Sequence, residues 1–183
     1  MNIVLIGYRG TGKSVIGAIL AKRLGIRCIA MDEEIANKAG ISIPEIVDQF
    51  GWPGFRDRES ALARDLARLD NIIIDTGGGI IERPENIEVL QKNGCVIWLK
   101  ASVEIIVARI QGGTGRPALI LGKTFTEEVA EVLERRTPGY RSAAHYEIVT
   151  DNVTSEQIVD TIIDIVGQCS NRKNSFIQSP FTA

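Results

Sequence analysis

Lys13 and Ser14 close the run Gly7-Tyr8-Arg9-Gly10-Thr11-Gly12-Lys13-Ser14, a glycine-rich loop ending in a cation and a hydroxyl. The spacing suits a nucleoside triphosphate. Glycines let backbone N–H groups turn inward around phosphates, the lysine meets the β- and γ-phosphates, and the hydroxyl holds Mg²⁺. Gly10, Thr11, Gly12, Lys13, Ser14 and Val15 are therefore the candidate nucleotide contacts. Further along, Asp75-Thr76 precede Gly77-Gly78-Gly79. An aspartate ending a strand in such a site reaches Mg²⁺ directly or through water, although capping of a neighbouring turn is a competing use. Three consecutive glycines permit close backbone approach to a ligand. Arg56, Arg58, Arg116, Arg135, Arg136 and Arg141 all fall outside the strand-like runs. Planar guanidinium groups are the best holders of a small carboxylate or a moving phosphoryl group, while an isolated arginine is by default a solvated charge. Arg116 differs because it lies in a glycine-rich segment that closure would bring over the phosphates. His145 lacks sequence partners for a triad and reads as surface or packing.

These residues need a frame that collects them at one edge. Asn2 to Ile6, Arg27 to Met31, Ile72 to Asp75, Cys95 to Leu99 and Glu147 to Thr150 read as strands separated by helical stretches. The alternation predicts a five-stranded parallel sheet with helices on both faces, a three-layer α/β/α domain. In such sheets ligands bind beyond the carboxyl ends of the strands, where the loop, Asp32, Asp75 and the triple glycine all fall. A stripe of Val15, Ile16, Ile19, Leu20 and Leu24 makes a helix from Lys13, stopped by Gly25. Ser42 and Glu45 form a capping box for a helix through Phe50, with Trp52-Pro53-Gly54 as its breaker, and Ala61 to Leu69 continues helical to the third strand. Pro84 and Ser102 open helices, and Thr154 with Gln157 caps the last one. Gly112 to Gly122 lacks periodicity and is expected to be a mobile lid, and the polar stretch after Gln168 to be a disordered tail. Residues 1–167 then form one domain, with 168–183 outside it.

The chain has 183 residues, 44% hydrophobic and 24% charged, enough for one core. With 21 basic and 23 acidic residues the net charge is -2, which argues against nucleic acid or an anionic membrane as partner. Cys28, Cys95 and Cys169 are odd in number and widely spaced, so reduced thiols in a cytoplasmic compartment are expected rather than disulfides. Neither a membrane span nor a signal peptide is legible, and a monomer binding small molecules is the expectation.

Taken in order, the motifs resemble the shikimate kinases, from Asn2 to Val166. The loop is followed by Asp32, Gly40-Ile41-Ser42-Ile43, Gly51, Phe55-Arg56-Asp57-Arg58-Glu59, Thr76-Gly77-Gly78-Gly79, Arg116-Pro117 and Arg136-Thr137-Pro138-Gly139-Tyr140. The resemblance implies transfer of the γ-phosphate of ATP to the 3-hydroxyl of shikimate with Mg²⁺, and a substrate-binding helical region at about 32–60. It implies a carboxylate clamp of Arg56 and Arg136, supported by Glu59, and a pocket wall of Gly77, Gly78 and Gly79. Asp32 would take the hydroxyl, Arg116 the phosphoryl group, and Arg109 would flank adenine.

Three positions depart from the family pattern. Ala30 stands where a second aspartate is usual, Trp52 where glutamate is common, and Gly139 where leucine is usual. Asp75 is expected to supply the Mg²⁺-side charge that Ala30 lacks. Two other readings stay open: a kinase for another small polyol or acid such as gluconate, and a nucleotide-binding regulator without catalysis.

Overall fold

The computed structural model describes residues 1–111 and 124–177. Strands β1 (Asn2–Ile6), β2 (Arg27–Ala30), β3 (Ile72–Asp75), β4 (Gly94–Lys100) and β5 (Tyr146–Val149) pair in parallel in the order β2-β3-β1-β4-β5. Parallel neighbours need crossover connections. Helices supply them: α1 (Lys13–Leu24), α2 (Met31–Ala39), α3 (Ile43–Ala67), α4 (Pro84–Lys92), α5 (Val103–Gln111) and α6 (Phe125–Ala143), while α7 (Ser155–Ile177) follows the last strand.

Side chains alternate across the strands, so each face has its own core. Ile3, Leu5, Ile73, Cys95, Ile97 and Leu99 pack against Ile16 and Leu20 of α1 and Ile158 and Ile162 of α7. Val4, Ile6, Ile72, Ile74, Val96 and Trp98 meet Met31 of α2, Phe55 and Leu62 of α3, Leu90 of α4 and Tyr140 of α6. Each fully buried aliphatic side chain of this kind contributes about 1.5–3 kcal/mol. A third cluster, Tyr8 with Ala101, Ile106, Val129 and Val132, fastens α5 and α6 to the loop after β1. This is the three-layer parallel architecture that the sequence predicts.

Local signals set most element ends. Gly25 closes α1 in the left-handed conformation with its N–H on the Ala21 carbonyl. Ser42 and Glu45 make the reciprocal capping box at the start of α3, and Thr154 with Gln157 caps α7. The break in α3 is at Gly51 (φ 68°, ψ 173°), earlier than the expected Trp52-Pro53-Gly54. Pro53 then falls in the first turn after the kink, where a missing N–H costs little. β2 ends at Ala30 because Met31 already begins α2.

The C-terminal expectation needs correction. Helix α7 extends to Ile177, past Gln168 where the disordered tail was placed. Cys169 still packs on the sheet there, its Sγ 3.8 Å from that of Cys95 and 3.4 Å from the Tyr146 hydroxyl. Exposed His145 accepts from the Val96 N–H at 2.9 Å on its Nδ1, and its backbone N–H donates to the Val96 carbonyl, in keeping with the expected surface or packing role. The expected lid, with Arg116, lies outside the described residues. Among the described residues no helix is long and apolar enough to cross a membrane.

Candidate active site

β1 delivers the chain into the glycine-rich loop. Gly7 has φ 140°, and a Cβ there would stand 2.3 Å from the Leu99 carbonyl oxygen, so the turn requires glycine. Gly10 and Gly12 also have positive φ, and Gly12 caps α1 without a side-chain bond. The first N–H groups of α1 thus point at the loop, the arrangement that binds phosphate. The Thr11 hydroxyl ties the loop by donating to the Tyr8 carbonyl at 2.8 Å. Lys13 Nζ donates to the carbonyls of Gly7 at 2.8 Å and Tyr8 at 3.1 Å. Burial lowers the Lys13 pKa, while Asp75 and Asp32 pull it back up. Val15 is exposed on α1, and Arg109 of α5 donates to the Gly10 carbonyl at 3.3 Å and to Thr150.

Ser14 Oγ donates to Asp75 Oδ2 at 2.7 Å, joining the start of α1 to the end of β3. Ala30 is the register partner of Asp75 across the β2–β3 pair, so Asp75 supplies the carboxylate beside the end of β2, where Ala30 carries none. Burial raises the Asp75 pKa, opposed by the Ser14 hydrogen bond and by Lys13. A hydroxyl and a carboxylate at a phosphate-binding loop are hard oxygen donors that fit Mg²⁺, which takes few protein ligands beside substrate phosphates. Among the described residues no cluster of three acidic, histidine or cysteine side chains forms a competing metal cage.

The second half of the site gathers around the triple glycine. Asp32 is in the first turn of α2, and a Cβ on Gly77 would lie 2.8 Å from its Oδ1 and 3.0 Å from Glu59 Oε1. A Cβ on Gly79 would collide with Arg56 Nη2 at 1.9 Å, whereas on Gly78 it would meet nothing closer than 3.5 Å. Arg56, past the kink in α3, donates from Nη1 to Glu59 Oε2 at 2.8 Å and from Nε to Glu82 Oε2 at 3.2 Å. Arg136, from α6, donates from Nε to Glu82 Oε1 at 3.0 Å and also from Nη2. Glu59 is fully buried; burial pushes its pKa up to about 7 against the pull of Arg56, and its Oε1 has no hydrogen-bond partner.

Sequence reading missed three participants. Glu82, ending the short 3-10 turn Ile80–Glu82, bridges both arginines; burial opposes its ionisation, yet Arg136 and Arg56 hold its pKa below the usual range. One acid before a helix start gives no signal for that role. Tyr140 lies against Trp98 with ring centroids 5.7 Å apart and donates its hydroxyl to the Gly78 carbonyl, which fixes the glycine wall. Arg9 pairs with buried Glu128 of α6 at 3.0 Å, linking the phosphate loop to the helix that carries Arg136. Two departures also find their places. Trp52 is edge-on to Phe55, with the Arg56 guanidinium 5.5 Å from its ring, and a Cβ on Gly139 would stand 3.0 Å from the Ile81 side-chain tip, so a larger residue there requires Ile81 to shift.

A family model described as shikimate kinase matches residues 9–166. A shikimate kinase from Thermodesulfovibrio yellowstonii is 37% identical over 172 residues, covering 94% of this chain and 98% of the relative. One from Pseudomonas putida is 39% identical over 173 residues, covering 93% and 99%. Among solved structures, the shikimate kinase from Acinetobacter baumannii in complex with shikimate superposes with a TM-score of 0.85 at 33% identity, covering 91% of this chain and 93% of that one.

Proposed function

The chain belongs to the shikimate kinase family, and we propose that its two half-sites divide the reaction as donor and acceptor. The enzyme transfers the γ-phosphate of ATP to the 3-hydroxyl of shikimate, giving shikimate 3-phosphate and ADP. One observation carries the division of labour: Arg56 and Arg136, from separate helices, converge on a single carboxylate beside Gly78 and Gly79. A paired guanidinium clamp is the fitting receptor for the carboxylate of a cyclic hydroxy acid.

The donor half is the loop with Lys13, whose buried cation is reserved for phosphate oxygens, and the N–H groups opening α1. Val15 and Arg109 lie on the nucleotide side. Mg²⁺, held at Ser14 with Asp75 behind it, would screen phosphate charge and fix the γ-phosphoryl group for in-line attack. Asp32 accepts from the reacting hydroxyl and orients it; Glu59 holds Arg56 in position; the Gly77–Gly79 backbone forms the wall against which the ring packs. Arg116, in the segment expected to close as a lid, stabilises the developing phosphoryl charge. Most of the rate then comes from positioning and charge rather than covalent chemistry. One chain furnishes both halves, which supports a monomer acting in the cytoplasm, where its three cysteines are thiols. The family match falls on shikimate kinases rather than on a gluconate kinase or a silent regulator.

Steady-state kinetics of variants test this division. Arg56→Ala and Arg136→Ala should chiefly raise KM for shikimate, whereas Arg116→Ala should lower kcat by about 10³-fold with a smaller effect on KM. Equal losses in kcat alone across all three would contradict it.

A further inference from the structure

Glu82 has a contact pattern that a merely solvated acid would not show. Its two carboxylate oxygens are split between the guanidiniums, Oε2 on Arg56 at 3.2 Å and Oε1 on Arg136 at 3.0 Å. A carboxylate of a small ligand would bridge the same pair in the same way. The arginine side chains are only 11% and 12% exposed, so each needs a counter-charge where it stands. Glu59 provides one, from within α3 and fully buried. Glu82 provides the other, and it is the most exposed of the four groups, at 34%, at the end of a single 3-10 turn that follows three glycines.

We infer that Glu82 is an internal stand-in for the substrate carboxylate, neutralising the Arg56–Arg136 clamp until a carboxylate ligand displaces it, and so sets how strongly the clamp selects for that group. The inference rests on the acceptor half of the site proposed above. Occupancy supports displacement rather than sharing. Glu82 takes an N–H from each guanidinium, the same donors that a bridging ligand carboxylate would need. With Glu82 turned outward, those donors are freed for one carboxylate. The exposed edge of Glu82 gives it somewhere to go, and water solvates it there. The incoming carboxylate replaces Glu82 on the arginines, and Glu82 regains hydration as it turns outward, so the exchange costs the ligand a modest factor rather than a prohibitive one.

Glu82→Gln keeps the shape and removes the charge. Shikimate KM at saturating ATP, and Kd by calorimetry without nucleotide, should both fall by about three- to tenfold, with kcat changing less than KM. The same comparison with the primary amide of shikimate, which carries no carboxylate charge, should show no such gain. An unchanged or raised Kd for shikimate in Glu82→Gln, with the variant's Tm near that of the parent, would overturn the inference and make Glu82 a residue that positions the arginines. An equal gain for the amide would also overturn it. Failure of the parent protein to bind shikimate at all would instead remove the acceptor-site reading, and this inference with it.

Discussion

At the scale of single residues the triple glycine separates what the fold needs from what a ligand needs. Gly79 is fixed by Arg56, since a methyl group there overlaps the guanidinium. Gly78 has room for a Cβ and no positive φ, so its lack of a side chain serves an approaching molecule. Gly78→Ala should therefore leave Tm within about 1 °C while raising KM for shikimate about tenfold or more, and Gly79→Ala should damage both through the displaced Arg56. Asp75 carries a second expectation. Because it stands in register with Ala30 and bonds Ser14, Asp75→Asn should raise the Mg²⁺ concentration for half-maximal turnover by about tenfold, and an unchanged requirement would refute its role. Lys13 and Ser14 stand out in the sequence through motif spacing and Asp75 through its place at a strand end, whereas residue type alone does not separate Arg56 and Arg136 from the other arginines, and only the family resemblance singles them out. Glu82 and Tyr140 were not legible, since an acid before a helix and a tyrosine within one have ordinary uses on surfaces and in cores, and only the fold brings them to the clamp.

At the scale of elements, the kink in α3 decides where the proposed acceptor half sits. Gly51 adopts φ 68° and ψ 173°, a region open to glycine almost alone, and Arg56 and Glu59 follow in the helical stretch after it. Gly51→Ala should cost about 1–3 kcal/mol of stability, and the surviving folded enzyme should show a raised KM for shikimate as Arg56 swings off axis. Chemical denaturation with matched kinetics reads both; a variant as stable as the parent would mean the kink is not strained. Sequence located this break only to within a few residues. Trp52-Pro53-Gly54 is the more obvious breaker, but proline is comfortable in a first helical turn, so the stop moved to the glycine before it. The end of α7 was missed for a related reason. The polar residues after Gln168 hide Cys169, which packs on the sheet edge beside Cys95.

At the scale of the whole molecule, strand order places the two proposed half-sites side by side. β1 is flanked by β3 and β4, so the phosphate loop at the end of β1 meets Asp75 at the end of β3, and β2 brings Asp32 in from the far side. That architecture was legible because apolar strand runs and helical stripes alternate through the chain, and the rules for parallel sheets leave few ways to connect them. What the fold adds is convergence: α3 and α6, far apart in sequence, lay Arg56 and Arg136 on one carboxylate. A net charge of -2 makes this basic clamp a local feature and not part of a broad cationic surface. The most direct test of the account is ADP formation by the purified protein with Mg²⁺ and ATP, titrated with shikimate and, in parallel, with gluconate. The account predicts saturable ADP release that depends on shikimate, with stoichiometric phosphomonoester visible by ³¹P NMR and only background release with gluconate. ADP release indifferent to shikimate, or equal with gluconate, would contradict it.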